Sequence, residues 1–175
     1  MSKFSVSRGD LQRILAAGTV AAALDAAFAF FAYVVIAARY NFESLLQYIA
    51  SGLLGNDAFA HHGATGWLVA ALGFALHFAI SLTVAAVFFV ALRRFANSRT
   101  RALALGLLYG AGVWMFNAAV VLPLTGTRHE PSFGGWYIPF IVDHALFVGL
   151  PIAIVLTRRV PRLRLPSARL NPSVA

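Results

Sequence analysis

The sequence predicts an all-α integral membrane protein, a bundle of four transmembrane helices in one domain. Two observations predict it. The composition is 60% hydrophobic and 11% charged over 175 residues, with a mean hydropathy of +0.77, which is typical of polytopic membrane proteins. Four uncharged or nearly uncharged runs, at about residues 14–38, 66–92, 102–124 and 137–157, are also each long enough for a hydrocarbon core of about 30 Å.

The first span, residues 14–38, follows a short basic segment, residues 1–13, and is too long for the apolar core of a signal peptide. Its small and polar residues share one helical face and include Asp25 near the middle of the membrane. Because an acid there costs about 2.5–3.5 kcal/mol to insert, Asp25 is predicted to face the bundle.

The connection at residues 39–65 is long, and it is predicted to contain a short helix. Asn41 suits a helix N-cap, the apolar residues that follow share one face, and Gly52 or Gly55 suits the helix end. We expect this helix to lie in the outer interface or to form a re-entrant turn in the first outer loop.

The second span, residues 66–92, has a face of small and polar residues at steps of three and four: Gly66, Ala70, Gly73, His77 and Ser81. Small residues allow close approach between helices in a membrane, and this face places His77 toward the bundle rather than toward lipid.

The third span, residues 102–124, places Gly106, Gly110, Val113 and Asn117 on one face. The fourth, residues 137–157, contains Asp143 and His144, and then Pro151, which leaves the carbonyl of Phe147 without its helical donor and predicts a kink just beyond His144. Residues 158–175 are predicted to be a disordered basic tail.

The basic residues predict the topology. All but two of the 14 Lys and Arg residues lie in residues 1–13, 93–101 and 158–175, and the exceptions are Arg39 and Arg128. The positive-inside rule then places both termini in the cytoplasm. Topology also explains the net charge of +8, so no nucleic-acid partner is predicted. The absence of cysteine excludes disulfides, thiolate metal sites and a cysteine nucleophile.

The two halves of the chain share a spacing. Gly18 precedes Asp25 by seven residues, as Gly110 precedes Asn117, and the next helix in each half carries His77 or His144. This favours two duplicated helical hairpins in which Asp25 pairs with His77 and Asn117 pairs with His144, although a coincidence between glycine- and alanine-rich helices is the alternative.

Ionisable groups inside a membrane are functional candidates. The residues predicted to line a site open to the outer side are Asp25, His77, Asn117, Asp143 and His144. The preferred function is binding or passage of a proton, a cation or a small polar solute. One alternative is b-type haem or quinone binding through His77 and His144. Another is a non-catalytic accessory subunit, or a homo-oligomer, whose glycine faces dock against a partner.

A membrane enzyme is the least supported class, because no phosphate loop, nucleophile elbow or metalloprotease helix is present. A second, weaker hypothesis is a metal site in the outer loops, formed by His61, His62, His129 and Glu130. Their spacing matches no specific ligand motif, and simple solvation is the alternative.

Several short pieces resemble an uncharacterised family of small four-span bacterial inner-membrane proteins. They are residues 49–55 (IASGLLG), Leu76-His77-Phe78, Tyr109-Gly110, residues 121–124 (VLPL), and His144 followed by residues 149–152 (GLPI). The resemblance implies a four-span protein of the bacterial inner membrane and draws attention to His77 and His144. It implies no activity, and it does not extend to His61, His62 or Asp143.

Overall fold

The computed structural model describes residues 6–125 and 137–158, and within these ranges the chain is helical and contains no strand. Four helices are long and apolar enough to cross a membrane, which confirms the predicted fold class at this level. These helices are α1 (Arg8–Ile36), α3 (Gly63–Phe95), α4 (Arg99–Leu124) and α5 (Ile138–Thr157), while α2 (Phe42–Leu54) is the shorter helix between α1 and α3.

Helices α1, α3 and α4 begin before their predicted spans, at Arg8, Gly63 and Arg99. Helix α1 begins at Arg8 rather than at Ile14, since the Asp10 N–H donates to Ser7 Oγ (3.1 Å) and the Ser7 N–H donates to the Asp10 carboxylate (3.1 Å). Near this end Asp10 also pairs with Arg93 at 4.0 Å. We call the end of the molecule with Arg13, Arg93 and Arg101 the arginine end, and the opposite end the α2 end.

Helix α2 has the cap that the sequence predicts. The Ser44 N–H donates to Asn41 Oδ1 at 2.8 Å, and the helix ends at Gly55, whose φ of 60° suits glycine. The helix packs on the first half of α3, where the Leu46 carbonyl lies against Gly73. Any side chain larger than hydrogen at Gly73 would collide with α2.

Three long helices contain a π-helical segment, at Phe30–Ile36 in α1, Asn117–Val121 in α4 and His144–Gly149 in α5. The last two lie just before Pro123 and Pro151. Proline has no N–H and crowds the carbonyl four residues earlier, so the i to i−4 ladder is broken within both segments. Where the sequence predicts a kink beyond His144, the structure has this wider turn.

Glycines bring the long helices into contact. A Cβ atom at Gly149 would collide with the Gly106 carbonyl and lie 2.7 Å from the Gly110 nitrogen, and one at Gly18 would lie 2.9 Å from Leu82 Cα. The glycine faces of α1 and α4 are therefore used inside the chain. A docking partner or a second copy of the chain stays a prediction, but the glycine faces of α1 and α4 are no longer an argument for it.

The apolar core lies toward the arginine end and joins α1, α3 and α5. Its buried residues are Ile14, Ala17, Ala21, Ala85, Phe88, Phe89, Val148, Ile152, Ala153 and Leu156. Small residues of α1 pack here against large residues of α3 and α5, so the helices approach closely.

Gly110→Ala is expected to destabilise the protein, because the new methyl group would collide with the His144 carbonyl. Overpacking of this kind costs about 1–3 kcal/mol. Gly112→Ala is the matched control, since no atom of a neighbouring element lies within 4 Å of its added Cβ. Thermal unfolding of both variants in detergent checks this. Equal melting temperatures would contradict the close packing of α4 on α5.

Candidate functional site

Four ionisable side chains from three helices meet inside the molecule. They are Asp25 of α1, His77 of α3, and Asp143 and His144 of α5, and we call them the Asp–His cluster. The Asp25 carboxylate lies between the two imidazoles, with Oδ2 3.8 Å from His77 Nδ1 and Oδ1 3.9 Å from His144 Nδ1. A single carboxylate therefore connects residues that lie far apart in the sequence.

The tautomer of His77 is determined by its surroundings. Its Nε2 lies 3.0 Å from the Ala22 carbonyl oxygen, which can only accept a hydrogen bond, so Nε2 carries a proton. In the neutral ring the lone pair is then on Nδ1, the atom that faces Asp25. The backbone of α1 thus presents the basic nitrogen of His77 to the cluster.

Asp143 is the most deeply buried member of the cluster, with 1% of its surface exposed. Its Oδ2 lies 2.9 Å from His144 Nδ1, but its Oδ1 is buried without a hydrogen-bond partner among the described residues. Buried polar atoms nearly always have partners, so an unpaired carboxylate oxygen needs an explanation.

Among the described residues the cluster contains no fixed positive charge. In the described part of the chain neither Asp25 nor Asp143 pairs with a lysine or arginine, and Arg93 instead pairs with Asp10 at the arginine end. Two carboxylates in apolar surroundings are costly unless positive charge balances them. Since the described residues provide no lysine or arginine, this charge is expected from protons on the cluster or from a bound cation.

Apolar layers lie on both sides of the cluster along the helices, and Asp25, His77 and His144 keep 14–19% of their side-chain surface exposed. Toward the arginine end lies the apolar core. Toward the α2 end lies an aromatic roof, which consists of Phe28, Tyr33, Trp114 and Phe140. The Phe140 ring stacks on Trp114 at 5.0 Å and on Tyr33 at 5.2 Å, and the Trp114 ring lies 5.1 Å from the His144 ring.

The structure brings together four of the five residues predicted to line the site. The fifth, Asn117, begins the π-helical segment of α4, and its side chain makes no hydrogen bond within the described residues. This arrangement does not test the duplicated-hairpin hypothesis. Of the two pairs that the hypothesis expects, Asp25 lies beside His77, whereas His144 lies beside Asp25 and Asp143.

Trp114 is a site residue that the sequence analysis missed. The predicted inner face of α4 included Val113, but Trp114 is the residue that is buried, while Val113 is only half-buried. The signal was present, because Gly106, Gly110 and Trp114 lie at steps of four.

Only two of the four residues of the predicted outer-loop metal site lie within the described residues. His61 and His62 are exposed, and their carbonyls accept hydrogen bonds from Gln47 and from Thr65. His129 and Glu130 lie outside the described residues. Within the described ranges, the group that could hold a metal ion is Asp25, Asp143 and His144, whose ligand atoms lie within 4.8 Å of one another.

Comparisons with protein-family models, with curated proteins and with solved structures found no match to this chain. The resemblance to a bacterial inner-membrane family therefore stays a prediction, and any function has to be inferred from the geometry of the cluster.

Asp143→Asn should leave the melting temperature in detergent equal or higher, because a neutral amide removes the repulsion with Asp25 and the cost of burying a carboxylate. Gln47→Leu is the contrasting variant. Gln47 is also buried, but its amide donates to the His61 carbonyl at 3.0 Å and the Gly66 carbonyl at 3.4 Å. Its loss should cost about 1–3 kcal/mol. A larger loss for Asp143→Asn than for Gln47→Leu would mean that Asp143 mainly stabilises the fold.

Proposed function

We propose that this protein binds a small cation, either a proton or a metal ion, at the Asp–His cluster and exchanges it with one side of a membrane. The observation that carries the proposal is the charge imbalance of the cluster. Asp25 and Asp143 lie beside two imidazoles, inside helices apolar enough to cross a bilayer, with no lysine or arginine as partner among the described residues. Ionisable groups at such depth are usually functional.

Apart from His144 Nδ1, which donates to Asp143 Oδ2 at 2.9 Å, the groups that the cluster offers are acceptors. His77 Nδ1 faces inward with its lone pair, Asp143 Oδ1 has no partner in the described part of the chain, and the Asp25 oxygens approach the imidazoles only at 3.8–3.9 Å. Acceptors without fixed donors favour a positively charged ligand over a neutral polar solute, whose own acceptor atoms would find few partners.

The haem alternative has less support. A bis-histidine haem places the porphyrin plane between its two imidazoles, and the Asp25 carboxylate lies in that space here. His77 Nε2 is also occupied by the Ala22 carbonyl. Quinone binding and an accessory role stay predictions without a specific observation in their favour.

The apolar core and the aromatic roof favour exchange of the cation with one side of the membrane. The apolar core toward the arginine end joins three helices, whereas the aromatic roof consists of a few side chains. The roof is also thin, because His144 lies only six residues from the start of α5, or about 9 Å along a helix. Movement of Phe140 or Trp114 would give access from the α2 end. By the positive-inside rule this is the non-cytoplasmic side.

Uptake into liposomes tests the proposal. We expect reconstituted protein to increase uptake of protons or divalent metal over protein-free liposomes, followed with an entrapped pH dye and an entrapped metal-sensitive dye. Asp25→Asn and His77→Leu should lower the rate at least tenfold. His77→Leu should still insert, because removal of a polar group does not weaken partition into the membrane.

The matched controls are Asp57→Asn and His62→Gln, an exposed acid and an exposed imidazole outside the cluster. Both should retain the wild-type rate. Equal rates in wild type, cluster variants and protein-free liposomes for both dyes would refute the proposal.

The orientation of the protein in the membrane can be tested separately. The test is simple because the chain has no native cysteine. Single cysteines at the exposed positions Ala60 and Asn97 report on the α2 end and the arginine end. In intact cells, a membrane-impermeant maleimide should label Ala60→Cys but label Asn97→Cys only after the membrane is opened. The reverse pattern would invert the proposed topology.

A further inference from the structure

We infer that the cation is a divalent transition metal, bound by Asp25, Asp143 and His144 with His77 as a fourth ligand. The inference rests on the proposed function, since it names the ligand of the same cluster. Asp25, Asp143 and His144 offer ligand atoms within 4.8 Å of one another, and His77 Nδ1 lies 3.8 Å from Asp25. The two histidines and two aspartates come from three separate helices.

The spacing of the donor atoms suits a metal of this class. Zinc is bound by imidazole and carboxylate at about 2.0–2.2 Å in tetrahedral geometry, which separates neighbouring ligand atoms by about 3.4 Å. The observed separations of 2.9, 3.8 and 3.9 Å lie on both sides of that value. Asp25, Asp143 and His144 would close around the ion from separations of up to 4.8 Å. His77 lies outside this group, so its ring must move further inward to become the fourth ligand.

The unpaired oxygen of Asp143 is an independent observation that points to a ligand. This carboxylate is 1% exposed, and its Oδ1 has no partner among the described residues. His77 supports the same conclusion. Metal-binding histidines almost always donate their other ring N–H to a carbonyl or carboxylate, as His77 Nε2 does to Ala22.

Charge and ligand type select the metal. Two carboxylates neutralise one divalent ion, so a filled site would be uncharged in its apolar surroundings, whereas a monovalent or trivalent ion would leave a net charge. Two imidazoles disfavour Mg²⁺ and Ca²⁺, which prefer oxygen ligands, and the chain has no cysteine that would select Cu⁺. The site therefore fits Zn²⁺, Fe²⁺, Mn²⁺ or Co²⁺.

Trp114 provides a direct readout, because its ring lies 5.1 Å from that of His144. In full-length protein in detergent, with Trp67 and Trp136 replaced by phenylalanine, Co²⁺ at the cluster should quench the fluorescence of Trp114. One equivalent should saturate the effect, and added Zn²⁺ should reverse it. Equal concentrations of Mg²⁺ or Ca²⁺ should not compete.

Asp143→Asn and His144→Gln should weaken Co²⁺ binding at least tenfold, and Asp25→Asn is the substitute if either variant does not fold. His61→Gln/His62→Gln is the control that should bind normally. Absence of saturable quenching, or quenching that survives both Asp143→Asn and Asp25→Asn, would overturn the inference.

The metal-binding experiment and the liposome-uptake experiment can fail independently. Proton uptake that depends on Asp25, without Co²⁺ or Zn²⁺ binding, would overturn the metal and leave the cation proposal intact. Metal binding without uptake of either protons or metal would support the site and overturn the exchange.

Discussion

The cost of holding two carboxylates in apolar surroundings is the constraint on which this structure depends. Asp25 and Asp143 can remain inside only if α1, α3 and α5 come close enough for His77 and His144 to reach them. The glycine contacts make this approach feasible. The backbone of His144 presses directly against Gly110, so the packing of α4 on α5 also fixes the turn from which Asp143 and His144 project.

Much of the fold could be predicted because it depends on local properties. Apolar length predicts the four spans, and the caps at Asn41 and Gly55 predict α2. The residues that meet in the cluster could be anticipated because ionisable groups inside a membrane are rare and face the interior of the bundle. By contrast, the relative depth of His77 and His144 could not be obtained. Counting along straight helices places His144 nearer the α2 end than His77, yet both imidazoles lie within 3.9 Å of the Asp25 carboxylate. Helix tilt, which depends on packing, and the π-helical turn of α5 are not visible in such a count.

The two apolar layers on either side of the cluster differ in composition. The apolar core is made of small and large aliphatic or aromatic residues that fill the space between three helices. The roof is made of stacked rings, which can rotate about two side-chain bonds without moving a helix. This difference in composition is the structural basis of the proposed access from the α2 end.

The π-helical turn in α5 also determines which way the two halves of this helix face. Such a turn holds one more residue than an α-helical turn. A regular α-helix over the same residues would rotate Asp143 and His144 by about 100° relative to Ile152 and would turn them away from Asp25. The wide turn is therefore a phase shift that lets one helix direct its ionisable residues and its apolar residues toward the same neighbours.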